Sequence, residues 1–168
     1  MPEEEAKERA REDAREGKAP STQAGEFVRE EIEHVREGKH GARSPKQAIA
    51  IGLSKARRAG VKLPPPRKGT VSAKTRAGAE RDYEHGRTGT HRRRSPRRSR
   101  ATSGALRRES RQAGSPHALS AQGRSAARAR SRASRQHSAE RAVRTKGRGG
   151  LSRAAQKAAR TRQRRATT

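Results

Sequence analysis

Apolar side chains are sparse in this chain, and they fall where helices would use them. Phe27, Val28, Ile32 and Val35 recur at helical spacing with charged residues between them, which predicts an amphipathic helix over about 23–37. Ser21 or Thr22 supplies a start and Gly38 a stop. A second group, Ile49, Gly52, Leu53 and Ala56, shares one side of a helix predicted for about 45–59. Ser44 then Pro45 reads as a hydroxyl cap followed by proline in the first turn. Gly60 provides the left-handed stop, and Val61 can reach back to Ala56. The two faces complement each other, so 21–63 reads as a helical hairpin. Ile51 lies off the shared face, beside Lys55 and Arg58. It calls for a third element or a second chain, and a homodimer through the hairpin is one expectation.

Upstream, PEEEAKERAREDAREG predicts a polar helix over about 2–16. Glu3, Glu4 and Glu5 suit the positive end of its dipole. Ala6, Ala10 and Ala14 give only a thin stripe, so this element is expected to pack weakly. Residues 1–20 form an acidic helix and linker in this reading.

Beyond KLPPPRKG the pattern fades. Only 27% of the 168 residues are hydrophobic and 36% are charged; Phe27 and Tyr83 are the only aromatics. Such a composition buries too little apolar area to offset the entropy of ordering. The predicted fold class is therefore mostly α plus disorder: a polar helix, a two-helix hairpin, and a long, low-complexity, disordered basic tail over 64–168. Within that tail LSAQGRSAARAR (119–130) and LSRAAQKAARTR (151–162) share a pattern. Both are expected to turn helical only on a polyanion.

Charge is unevenly placed. Residues 1–40 carry 8 Lys+Arg and 12 Asp+Glu, whereas 41–168 carry 36 and 5, within a total of +27. A cationic field of this size seeks a polyanion, and phosphate neutralisation needs no folded surface. The candidate contacts are Arg92, Arg93, Arg94, Arg97, Arg98 and Arg100 in the densest block, with Arg128, Arg130, Arg160 and Arg162 in the two similar stretches. With almost no aromatics to stack on bases, sequence preference is expected to be slight. SPRR at 95–98 resembles the basic Ser-Pro units of linker-histone tails. Phosphate on Ser95 or Ser99 would lower the charge there.

Other chemistry is weakly supported. No cysteine is present, which excludes disulfides and thiolate sites. His34, His40, His85, His91, His117 and His137 stand in no H-E-x-x-H or comparable spacing, so no metal site, cofactor or catalytic residue is expected, and the protein reads as non-enzymatic. The loop GKHGARSP opens a helix N-terminus, and Lys39, Arg43, Ser44 and Lys46 are its candidates for a phosphate; a plain glycine-rich turn is the alternative. No apolar run reaches membrane-spanning length. The acidic beginning does not fit a signal or transit peptide, so a cytoplasmic protein is expected, nucleoid-associated if bacterial.

The run SPKQAIAIGLSKAR resembles the S-x-K-Q-A-I-A-I-G-L-S-x-A-R core of a short bacterial domain family of unknown function. The resemblance covers about residues 24–62 and implies a small helical unit with no known activity. The functional expectation is a sequence-nonspecific, histone-like nucleic-acid binder, DNA favoured over RNA. An RNA-binding or ribosome-associated accessory protein is one alternative, and a partner-binding adaptor using the 45–59 helix is another. In the first reading the acidic helix folds back on the tail and weakens its binding.

Overall fold

A computed structural model describes residues 2–89 and 95–166. Seven α-helices stand among them: α1 (Pro2–Arg15), α2 (Pro20–Glu37), α3 (Pro45–Arg58), α4 (Ala73–Thr88), α5 (Pro96–Arg108), α6 (Pro116–Ala129) and α7 (Arg132–Ala166). A 3₁₀ turn, Arg111–Gly114, separates α5 from α6. The chain divides into two compact units, 1–122 and 123–168.

The first unit is built on α2 and α3, with α1 packed on α2 and α4 on α3. A Cβ on Gly52 of α3 would lie 2.6 Å from Val28 Cα, so the two central helices touch backbone to backbone. Glycine at this point is what permits the approach. One core cluster gathers Ala6 and Ala10 of α1, Ala24 and Phe27 of α2, Ala56 of α3, and Val61, with Leu53 and Leu63 packed against it. Ala6 and Ala10 of the α1 stripe are thus buried, while Ala14 is exposed. The helix can pack closely because small side chains let helices approach.

Both central helices end as their glycines require. Gly38 adopts φ 79° and Gly60 φ 93°. Past α3, Gly60 N–H donates to Arg57 O and Val61 N–H to Ala56 O, at 3.0 and 3.1 Å. This is the Schellman arrangement, and it delivers Val61 to the core beside Ala56. The proline segment that follows is held by Arg57, which is buried and whose Nε donates to Leu63 O at 3.2 Å.

The expectation of a two-helix hairpin followed by a disordered tail over 64–168 is overturned. Residues 73–88 form α4, whose Ser72 Oγ accepts from Thr75 N–H at 3.2 Å. Asp82 of α4 accepts a hydrogen bond from Ser54 Oγ and pairs with Arg58 at 3.8 Å. The polar side of the AIAIGLSKARR helix is therefore also an internal face. Farther on, Ala113 joins Val35, Ala42 and Ala48 in a second core cluster, and Arg36 Nε donates to Gly114 O at 2.7 Å. The physical reason for the error is that alanine and arginine are poor in hydrophobicity but high in helix propensity. Ser115 and Ser131 supply caps, accepting from Ala118 N–H and Ser134 N–H at 3.2 and 3.1 Å.

The second unit comprises the last turns of α6 and the long α7. Its described residues include none that is fully buried. Gly147, with φ 62° and ψ 175°, breaks α7 into two helical segments. The region holds together through local helix formation and caps, without a core.

Candidate functional site

The 38–44 loop is shaped by the end of α5. Gly41 N–H donates to Leu106 O at 2.8 Å and Ala42 N–H to Ser110 O at 3.0 Å. A Cβ on Gly41 would lie 1.9 Å from Glu109 O, so only glycine lets the two backbones meet. The loop amides at 41 and 42 are consequently bound to carbonyls. Ser44 Oγ accepts from Gln47 N–H at 3.4 Å, while Gln47 Oε1 accepts from Arg43 N–H at 2.8 Å. This reciprocal pairing is a variant of the capping box. Of the four residues expected to hold a phosphate, Ser44 serves as this cap, Lys39 pairs with Glu37 at 2.8 Å, and Arg43 pairs with Glu109 at 3.6 Å. Lys46 is exposed on the first turn of α3.

Pinning this loop brings His40 over α2, where a group of ionisable side chains assembles. Glu31 is 1% exposed. His40 Nε2 lies 3.2 Å from Glu31 Oε1, and Lys55 Nζ of α3 lies 2.9 Å from Glu31 Oε2. His34, one turn along from Glu31, has its Nε2 at 3.6 Å from Glu30 Oε1. The two imidazoles meet edge to face, 6.1 Å between centroids. Ligand-capable atoms of Glu31, His34 and His40 all lie within 4.8 Å of one another. Burial holds His34 below its ordinary pKa, and the charges of Lys39 and Lys55 push the same way. The reading of the histidines as a set without ligand spacing missed this group. Glu31-x-x-His34 places two donors on one helix face, and a third at His40 is reachable only because Gly38 turns the chain back. The i,i+3 pair was the available signal.

Glu31 and His40 lie at one side of a cleft of about 1120 Å³ that α5 faces with Ser99, Thr102 and Leu106. Ile51 is half-buried and lines the same cleft. A third element of the same chain thus stands opposite this residue, and no second copy is needed to explain its position.

The expected phosphate contacts divide between the units. Arg97, Arg98 and Arg100 are exposed on α5, and Arg98 borders the cleft. Arg128 lies in the last turn of α6, Arg130 follows the helix, and Arg160 and Arg162 lie on α7, all exposed. Arg92, Arg93 and Arg94 lie outside the described residues. The region 123–168 carries 15 Lys+Arg against one acidic residue, Glu140, and every lysine and arginine described there is exposed. No helix among the described residues is long and apolar enough to cross a membrane.

No curated protein and no solved structure matches the chain. The similarity that does exist begins before the run SPKQAIAIGLSKAR and takes in most of α1, in keeping with the burial of Ala6 and Ala10 against α2. Residues 6–68, from α1 through the proline segment, match the model of a family of unknown function, DUF6496.

Proposed function

We propose that the protein is a non-enzymatic, sequence-nonspecific nucleic-acid binder in which 123–168 supplies most of the phosphate contacts. Duplex DNA is the favoured ligand, and a nucleoid-associated role follows from that reading. The supporting observation is the exposure of the lysines and arginines along α7 and the end of α6, with a single acidic residue among them. Their spacing distributes charge around the helices, which suits contact with phosphates more than one stripe reading base edges. No aromatic residue occurs in the region, so stacking on bases contributes nothing there. Arginine offers a planar fork of donors that pairs with phosphate in two-bond geometry.

In this reading 1–122 is a folded body that carries a phosphate-binding arm. Duplex affinity is measured by fluorescence anisotropy against salt concentration, for the intact chain and for a chain with Arg128, Arg130, Arg144, Arg153, Arg160 and Arg162 changed to glutamine. Each lost phosphate contact reduces the log–log slope by about 0.9 on B-DNA. Unchanged slope and affinity in the variant would refute the assignment. Structured RNA in a parallel arm separates the DNA reading from the RNA alternative.

A further inference from the structure

We propose that Glu31, His34 and His40 form a binding site for one zinc-class divalent ion, with its remaining coordination position facing the cleft between α3 and α5. Three observations converge. The first is geometric: the three side chains bring one ligand atom each within 4.8 Å of the others. The His40 Nε2 to Glu31 Oε1 separation of 3.2 Å is near the lower end of the roughly 3.3–3.6 Å expected between two ligand atoms on a tetrahedral zinc with bonds of about 2.0–2.2 Å.

The second is the tautomer. His40 Nδ1 lies 3.1 Å from Gly41 O, and a carbonyl can only accept, so Nδ1 carries the proton. A neutral imidazole then presents a lone pair at Nε2. Its neighbour is the carboxylate of Glu31, also an acceptor. Two acceptors at this distance need either a second ring proton or a metal ion between them, and the zinc titration below distinguishes the two. A ring N–H donated to a backbone carbonyl is the usual way that a metal-ligating histidine is oriented. Here that carbonyl belongs to the loop residue whose own amide is fixed to Leu106.

The third is burial without satisfaction. Glu31 is 1% exposed, and neither its carboxylate oxygens nor His34 Nε2 receive a hydrogen bond of normal geometry. Such groups are costly to bury unpaired. Lys55 at 2.9 Å neutralises part of the charge through Oε2, leaving Oε1 directed to His40. Glu30, close to His34 Nε2, restores a negative balance. Two imidazole nitrogens with one carboxylate select zinc-class ions over magnesium or calcium.

The test uses the full chain, stripped of metal by a chelator and free of nucleic acid. Zinc titration in competition with a chromogenic chelator is expected to give one ion per chain. His34→Gln and His40→Gln are each expected to weaken binding at least tenfold, the least that losing even an outer partner usually costs. A chain with His85, His117 and His137 changed to glutamine retains the site. Lys55→Met is the sharper variant. Removing its charge tightens zinc binding if Glu31 is a ligand, whereas a purely structural ion pair gives no zinc effect. Circular dichroism monitors folding of each variant. Cobalt added to the unaltered chain provides a readout that needs no substitution, two paramagnetically shifted, exchangeable imidazole N–H signals. Absence of those signals, zinc binding unchanged in the His34→Gln, His40→Gln double variant, or no zinc bound by the unaltered chain would each overturn the proposal.

Discussion

The two units use the same few residue types in opposite ways. In 1–122 alanine and glycine let helices come close: Ala6, Ala10 and Ala24 surround Phe27, and Gly52 admits the Val28 backbone. In 123–168 alanine only favours helix, and Gly123 has no atom within 4 Å of where a Cβ would stand. Arginine differs likewise. Arg57 is buried and holds the proline segment, while the described arginines of α7 are all exposed. Composition alone cannot distinguish small residues that create an interface from small residues that sustain a solvated helix. Position relative to a partner element decides it.

Substitutions at matched positions break or sharpen this contrast. The largest effect is expected at Phe27, the single phenylalanine, which is 2% exposed. Phe27→Ala should cost about 3–5 kcal/mol and unfold the first unit in a denaturant titration, with little change in helix signal from the second. Next is Gly52→Ala. With the new methyl 2.6 Å from Val28 Cα, the helices must separate, at about 1–3 kcal/mol. A thermal midpoint equal to that of the unaltered chain would contradict the close approach. In the second unit, Ser131→Ala removes the acceptor for Ser134 N–H and should cost α7 about 1 kcal/mol of helix stability, read as lower ellipticity at 222 nm in a 123–168 peptide. The smallest effect has the opposite sign. Gly123→Ala should stabilise α6 by about 0.5–1 kcal/mol, because nothing stands in the way of the methyl. A loss of helix there would show that the second unit has a packed partner after all.

The grammar of helix starts was legible at one place and overlooked at two others. Ser44–Pro45 reads as a cap and first turn, and α3 begins there. The same pair at Ser95–Pro96 and Ser115–Pro116 opens α5 and α6, yet SPRR suggested a histone-like tail because its arginines dominate any local average. α4 was hidden in the same way. Glu80, Asp82 and Glu84 are three of the five acidic residues beyond position 40. Averaged into the tail they vanish, though Asp82 ties α4 to Ser54 and Arg58. Ile51, off the face shared by Ile49, Leu53 and Ala56, is half-buried at the cleft. The element opposite it, α5, lies more than forty residues away in a stretch whose one large apolar residue is Leu106. Long-range closures within the chain, like Gly41 against Glu109, depend on where backbones meet and leave no periodic trace.

The acidic first helix also changes meaning. Its expected role as a competitor for the basic region comes from charge asymmetry along the chain; the structure adds that Ala6 and Ala10 are buried in the core beside α2. Its acidic side chains pair nearby: Glu5 with Arg9 at 3.5 Å, and Asp13 with Lys18 at 2.7 Å. The Glu5–Arg9 pair is exposed at Glu5 and of small individual value, whereas Asp13 is buried.

The division of labour between a packed body and a cationic arm is tested most directly by the salt dependence of duplex binding. The intact chain is expected to give a log–log slope of about −4.5 or steeper, corresponding to about five or more neutralised phosphates. The six-glutamine variant should lose about 0.9 of slope for each phosphate contact removed while keeping the thermal midpoint of the first unit. A slope that is nearly flat for the intact chain, or unchanged in the variant, would contradict the account.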